Sequence, residues 1–405
     1  MSKWEEKRLE DIIDVNPPVK LKKGESYPFI DIDKVSPTRC SVTNEEVKVY
    51  DGQSSSKFCD GDTVFSRITP CLENRKIAKV AIEGDAAFGS TEFYVFRAKK
   101  KKADARFTYY LTSSDAVVLP AINSMTGASG RQRADKRFIQ RLKLNLPDLP
   151  TQERIADILS AYDDLIEANN RRIELLEQTA QELYKEWFVR FRFPGYENAK
   201  FEDGIPEGWD IKRIVDLFDI TSSKRVYLAD YVDAGIPFYR SKEIIQLSQG
   251  QAITEPLYIS NAAYENFKSK YGAPEKNDIL ITSVGTIGVS YLVDGHEFYF
   301  KDGNLTWIKS GSNKALSLFL FQWLNSQSGK QQLLQSTIGT SQSALTIENL
   351  KKIKLLVPTK ALIEDYYQKA HFMLEQKSAL QMNNRNLAVQ RDMLLPRMMS
   401  GKLEV

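Results

Sequence analysis

Cysteine and histidine are scarce in this chain. Its 405 residues hold three cysteines, Cys40, Cys59 and Cys71, and two histidines, His296 and His371. The cysteines show no paired spacing, which argues against a disulfide framework and fits a reducing cytoplasm. Ligands this few and this far apart make a structural zinc site a poor reading. Long apolar runs are missing too, so no membrane span is expected. The opening M-S-K-W-E-E-K-R-L-E-D mixes both charge signs, unlike a secretory leader. Net charge is only +3, so a nucleic-acid surface would have to be a local patch. Phosphate-cradling glycine motifs are also absent. Gly329-Lys330 lacks the following Ser/Thr and the spaced Gly of a P-loop, and no G-x-G-x-x-G follows a strand. Nothing resembles a nucleotide or S-adenosylmethionine pocket. Carboxylates are scattered without a His-centred triad, and no catalytic constellation emerges.

What is present is a chain written twice. Hydrophobic content of 42% and charged content of 27% suit a globular protein, and the length calls for more than one core. The repeat period is roughly 210 residues, far longer than a solenoid unit. W-E-E-K-R-L-E-D-I-I-D from Trp4 answers W-D-I-K-R-I-V-D-L-F-D from Trp209. Y-P-F-I-D-I-D at Tyr27 answers I-P-F-Y-R-S-K at Ile236, and G-D-T-V-F-S-R at Gly61 answers N-D-I-L-I-T-S at Asn277. F-G-S-T-E-F-Y-V-F-R at Phe88 answers F-K-D-G-N-L-T-W-I-K at Phe300. A helix and a Gly/Ser-rich loop follow, T-G-A-S-G-R at Thr126 and I-G-T-S-Q-S at Ile338. A last strand closes each half, L-K-L-N-L-P at Leu142 and I-K-L-L-V-P at Ile353. β-Branched and aromatic residues in alternation predict strands in both copies.

After each closing Pro the period becomes helical. The first seam is Leu159, Tyr162, Ile166, Asn169, Ile173, Leu176, Ala180 and Leu183; the second is Ala370, Met373, Lys377, Leu380, Asn384, Leu387, Arg391 and Leu394. Spacing that alternates three and four is a coiled-coil pattern. Each helix could instead pack only on its own domain, but two helices at equivalent points of two equivalent halves suit pairing with each other. A helix over Thr151–Phe188 would be roughly 55 Å long, a spacer and a platform. The predicted class is α/β (α+β): two pseudo-repeated globular domains, 1–150 and 196–358, separated by two long helices, 151–195 and 359–405, that form an antiparallel coiled coil. Such a pseudo-twofold chain suits a pseudo-symmetric ligand or two copies of one partner.

D-V-N-P-P-V-K, from Asp14, carries an Asn-Pro-Pro of the kind that grips a flipped base in enzymes methylating exocyclic amines. The aromatic that should follow is Val19, and the second copy reads D-I-T-S-S-K-R instead. A self-sufficient methyltransferase using Asn16-Pro17-Pro18 is thus the alternative reading, and a helix end stopped by Pro the plainer one. Gly285-Thr-Ile-Gly288 matches a GXXG clamp, yet its counterpart at Arg67-Ile68-Thr69-Pro70 does not, which favours a tight turn. The remaining candidate is a binding surface. Arg131, Arg133, Lys136, Arg137 and Arg141 face only Asp135 in charge, beside Gln132 and a Gly/Ser loop. Arg and Gln are the side chains that read guanine and adenine edges. The equivalent loop holds Thr340, Ser341, Gln342 and Ser343. Polar tips after apolar strands add Ser66, Arg67, Asn74, Arg75 and Lys76 in one half and Ser283 and Thr286 in the other. A solvated basic face, or a coiled-coil protein with no DNA role, is the competing account.

L-P-T-Q-E-R-I-A-D-I-L-S-A-Y-D-D-L-I-E-A-N-N-R-R-I-E-L-L-E-Q, then E-L-Y-K-E-W-F-V-R-F-R-F-P-G, resembles the central conserved region of the specificity subunits of type I restriction–modification systems. The ending N-N-R-N-L-A-V-Q-R-D-M-L-L-P-R-M-M-S-G-K-L-E-V resembles their distal conserved region. The resemblance covers the whole chain. It implies two target-recognition domains held apart by two antiparallel helices, each domain reading one half of a bipartite double-stranded DNA site. It implies no catalysis and no cofactor in this chain. Two modification subunits would bring S-adenosylmethionine, and restriction/translocase subunits ATP and Mg²⁺, in the cytoplasm. The matching positions, Pro150, Gln152, Glu153, Leu159, Asp163, Ile166, Asn169, Leu176, Trp187 and Phe188 through Gly195, with Leu380, Asn384 and Leu387 in the second helix, are expected as scaffold and partner contacts. Thr359–Glu364 departs from the first copy's motif, and Lys377 and Arg391 enter the seam, so the two ends are not expected to bind a partner identically.

Overall fold

Alternation along three strands builds the first domain. Val64, Ala78, Val80, Phe93 and Val95 fall in one buried cluster, whereas Phe65, Ile77, Tyr94 and Phe96 fall in another. Period-two strands send neighbouring side chains to opposite faces, so one sheet serves two cores. The computed structural model describes residues 4–43, 46–128, 130–251, 253, 255–339 and 343–404, which group into two compact units, Met1–Ala168 with Asn386–Val405, and Asn169–Arg385.

In the first unit a five-stranded sheet runs in the order Ile13–Val15, Phe93–Ala98, Thr63–Ser66, Ile77–Ala81, Ser41–Thr43. One face packs on a four-stranded sheet in which Ser26–Ile30 pairs parallel with Ala87–Gly89. The other packs on the helices Ala105–Ser113 and Asp115–Asn123, together with Ile155, Ala156, Leu159 and Met398 of the long helices. The second unit repeats the plan. Asp219–Thr221, Leu305–Lys309, Ile279–Thr282 and Ser290–Leu292 form the main sheet, and Ile236–Tyr239 pairs parallel with Tyr299–Phe300 in the smaller one. Ends are clipped alike: Trp4–Arg8 pairs with Lys143–Pro147, and Asp210–Arg213 with Lys354–Val357. This is the expected mixed α/β tandem.

The long helices run over Leu149–Tyr184, 36 residues widening into a π turn at Lys185–Val189, and over Lys360–Met399, 40 residues. They end at Val189 and at Met399, and each compact unit takes in part of both. Within the second unit their pairing is antiparallel, Asn169 Nδ2 donating to Asn384 Oδ1 at 2.8 Å and Lys377 pairing with Glu177. Asn384 Nδ2 in turn donates to Asn170 Oδ1 at 2.8 Å. Within the first unit Arg391 pairs with Asp163, which is 4% exposed and also accepts from Tyr110 Oη. Lys377, Asn384 and Arg391, the polar residues of the second seam, are therefore matched across it.

The Asn-Pro-Pro stretch ends a strand, not a helix. The helical turn is Leu9–Ile12, and Ile13–Val15 follows as strand. Asn16, at φ 56°, donates its backbone N–H to Val95 O at 2.7 Å and accepts the Val95 N–H on Oδ1 at 2.9 Å. Its amide oxygen thus replaces the next ladder bond, the acceptor a base amine would need. Among the described residues no helix is long and apolar enough to cross a membrane, and no cluster of His, Cys, Asp and Glu could hold a metal.

Candidate nucleic-acid interface

The central strand of each main sheet ends at Ser66 and at Thr282. There the two halves use the same backbone bonds. Arg67 N–H donates to Glu92 O at 2.9 Å, and Ser283 N–H donates to Asn304 O at 2.9 Å. Bridges Ile68–Arg133 and Thr126–Arg133 in one unit answer Val284–Ala344 and Ile338–Ala344 in the other. Ala134 N–H then reaches Arg67 O at 2.8 Å, and Leu345 N–H reaches Ser283 O at 2.9 Å. The Gly/Ser loop and the strand-end turn, separate candidates in the sequence, are one construction at one end of the sheet.

In the first unit further bonds pin the loop. Tyr94 Oη donates to Ala134 O at 2.7 Å, Gln132 N–H to Thr69 Oγ1 at 3.1 Å, and Asp135 N–H to Ser124 Oγ at 3.1 Å. The tip turns through Gly127 at φ 125°, a backbone that L side chains rarely adopt. Arg133 reaches Glu92 through Nε at 2.9 Å and Nη2 at 2.6 Å, and Arg67 reaches it through Nε at 3.2 Å. The Arg133 hydrogen bonds, with the Arg67 charge, hold the Glu92 carboxyl below its usual range against the opposing effect of partial burial. Arg131 is exposed and makes no ion pair among the described residues. Lys136 opens the short helix Lys136–Gln140, which Asp135 caps.

Other expected contacts lie elsewhere. Ser66 is fully buried and donates to Lys76 O at 2.6 Å, and Ser283, 5% exposed, meets Thr306 Oγ1 at 2.8 Å. Neither hydroxyl has a face left for DNA: Ser66 is the last residue of its strand and Ser283 lies just past the end of its own, and both turn inward. Arg75 folds back onto Ser113 O at 3.0 Å and onto Asp115, and Lys76 Nζ donates to Ile32 O at 2.9 Å. Thr286 sits exposed on the hairpin between Ile279–Thr282 and Ser290–Leu292, so Gly285 and Gly288 make a turn. Thr340, Ser341 and Gln342 lie outside the described residues.

The scaffold set is largely interior. Gln152, 2% exposed, accepts from Asp104 N–H at 3.2 Å and donates to Pro147 O at 3.0 Å, bracing the helix start. Leu159 is buried in the first core, and Trp187 and Phe188 join Tyr184, Trp209, Phe319 and Tyr366 in the second. These four side chains are buried within the chain. Ile166, Leu176, Leu380 and Leu387 are half-buried, as seam positions are, and Glu153 is exposed. Glu92 and the Asp163–Arg391 pair were missed by the sequence reading. Glu92 faces Asn304 in the repeat, which is the signal that distinguishes it.

Each of the two sheet domains thus carries one loop bridged to the end of a main-sheet strand. A family model described as the type I restriction modification DNA specificity domain matches residues 1–178 and again 206–372. The chain belongs to that family, and its role in such a system is DNA recognition, not catalysis. Over 99% of its length it is similar to the MjaIX specificity subunit of Methanocaldococcus jannaschii, 23% identical across 94% of that protein. It is likewise similar to the HindI specificity subunit of Haemophilus influenzae, 23% identical with both chains covered fully, at 100%. The solved S subunit of a type I restriction–modification system from M. genitalium shares the fold, with a TM-score of 0.55 and 14% identity over 98% of this chain and 96% of that one.

Proposed function

We propose that the chain reads a bipartite sequence in double-stranded DNA, one half-site per domain, and carries two modification subunits and the restriction/translocase subunits of its system. The observation that carries this reading is the repeated loop-on-strand-end construction, present once in each unit with matching backbone bonds. In the first domain Arg67, Arg131, Gln132 and Arg133 gather there; in the second the hairpin tip at Thr286 takes that place, and Thr340, Ser341 and Gln342 are assigned to DNA contact from the sequence repeat alone. The helical pair sets the gap between half-sites. S-adenosylmethionine, ATP and Mg²⁺ act in the partner subunits, in the cytoplasm.

Footprinting of the chain with its modification subunits is expected to protect two short blocks separated by an unprotected gap. One continuous block, or no specific protection, would overturn the reading. Crosslinking of labelled S-adenosylmethionine should mark the modification subunit alone; specific labelling of the isolated chain would return attention to Asn16. Arg131→Ala in the complex should weaken DNA binding and flatten the slope of log K against log salt by about 0.9. An unchanged slope removes Arg131 from the phosphate contacts.

A further inference from the structure

Glu92 touches both arginines of the first reading end by one edge of each. It takes Nε and Nη2 of Arg133 and Nε of Arg67. A guanidinium has five N–H groups in a rigid fork. Engaging Nε leaves the outer edge, with Nη1 and the remaining Nη2 hydrogens, pointing away from the carboxylate. That outer edge still offers two N–H donors side by side, as a bidentate pair with O6 and N7 of guanine in the major groove requires. The side chains of Arg133 and Arg67 are 45% and 29% exposed, Glu92 only 21%, so the carboxylate lies behind the cations. One negative charge also offsets one of the two positive ones, lowering the attraction for phosphates of any sequence. Among the described residues of the second unit, Ser283, Asn304 and Ala344 stand at the matching positions.

We propose that Glu92 is a positioning residue for guanine readout: it aims the outer edges of Arg67 and Arg133 at the first half-site and restrains them from indiscriminate phosphate binding. The proposal rests on the reading of this loop as the DNA-facing end. It gives the first domain an arginine pair that the matching described positions of the second do not repeat, and it places at least one guanine in the first half-site.

The test uses Glu92→Gln in the full complex, titrated with cognate DNA and with DNA whose first half-site is scrambled. Cognate binding is expected to fall about tenfold while binding to scrambled DNA rises, with its salt slope steeper by about 0.9 for the one uncompensated charge. Arg133→Lys keeps the charge and loses the fork, so cognate affinity should fall with the salt slope unchanged. In an Arg67→Ala/Arg133→Ala background Glu92→Gln should no longer change the preference for cognate over scrambled DNA. Loss of cognate and scrambled binding in equal measure would mean that Glu92 only builds the loop, and overturns the proposal. So does wild-type discrimination in Glu92→Gln when the double arginine variant is defective. A double arginine variant that discriminates normally would instead overturn the placement of this loop on DNA.

Discussion

Arg391→Ala is expected to destabilise the first unit by about 3 kcal/mol, the scale for breaking one side of a buried ion pair. Asp163 is 4% exposed and takes Arg391 together with the Tyr110 hydroxyl. Without the guanidinium its charge is left in a site that water hardly reaches. Hydrogen exchange across Ala105–Ser113 and the start of the first long helix reads that unit by itself. The contrast is Lys377→Ala in the second unit. Its partner Glu177 is 45% exposed, so solvent screens the pair and the loss should stay within about 1 kcal/mol. Replacing Asp163 and Arg391 together by Leu and Met should restore most of the stability, since no unpaired charge remains. Equal losses from Arg391→Ala and Lys377→Ala would show that burial does not govern these pairs.

The second large effect concerns the gap between half-sites. Four residues inserted after Ala168, matched by four after Arg385, lengthen both helices by about 6 Å and keep the Asn169–Asn384 pairing in register. The expected result is a spacer longer by about two base pairs at 3.4 Å each, with both half-site sequences retained and modification of the original site lost. Sequencing of modified sites in a host carrying the variant reads all three. A changed half-site sequence, or an unchanged spacer, contradicts the role given to the helices.

Much of this architecture is legible in the residues, for a definite reason. Tyr94 and Phe96 alternate with Phe93 and Val95, and the same alternation at Leu305 and Trp307 shows the second copy to be the same object. Seam positions such as Leu159 and Ile166 follow from spacing alone. What spacing does not reach is pairing at a distance. Arg391 looks like a flaw in an apolar seam until Asp163 is set opposite it, 228 residues away. Glu92 sits in no motif, and its partners lie 25 and 41 residues away. Ser66 and Ser283 misled because a polar residue at a strand end looks like a tip, yet Ser66 still faces inward and Ser283 bonds across to Thr306. Asn16 misled because the same amide that could grip a base also caps a strand.

The central claim is that this chain chooses a DNA sequence by reading it in two parts. The most direct measurement is sequencing of methylated adenines in genomic DNA from a host whose complete system contains this chain as its one specificity subunit. A single motif is expected, two short specified blocks around an unspecified spacer of fixed length, with a methylated adenine in each block. One uninterrupted block, or the same methylation with this chain absent, would contradict it.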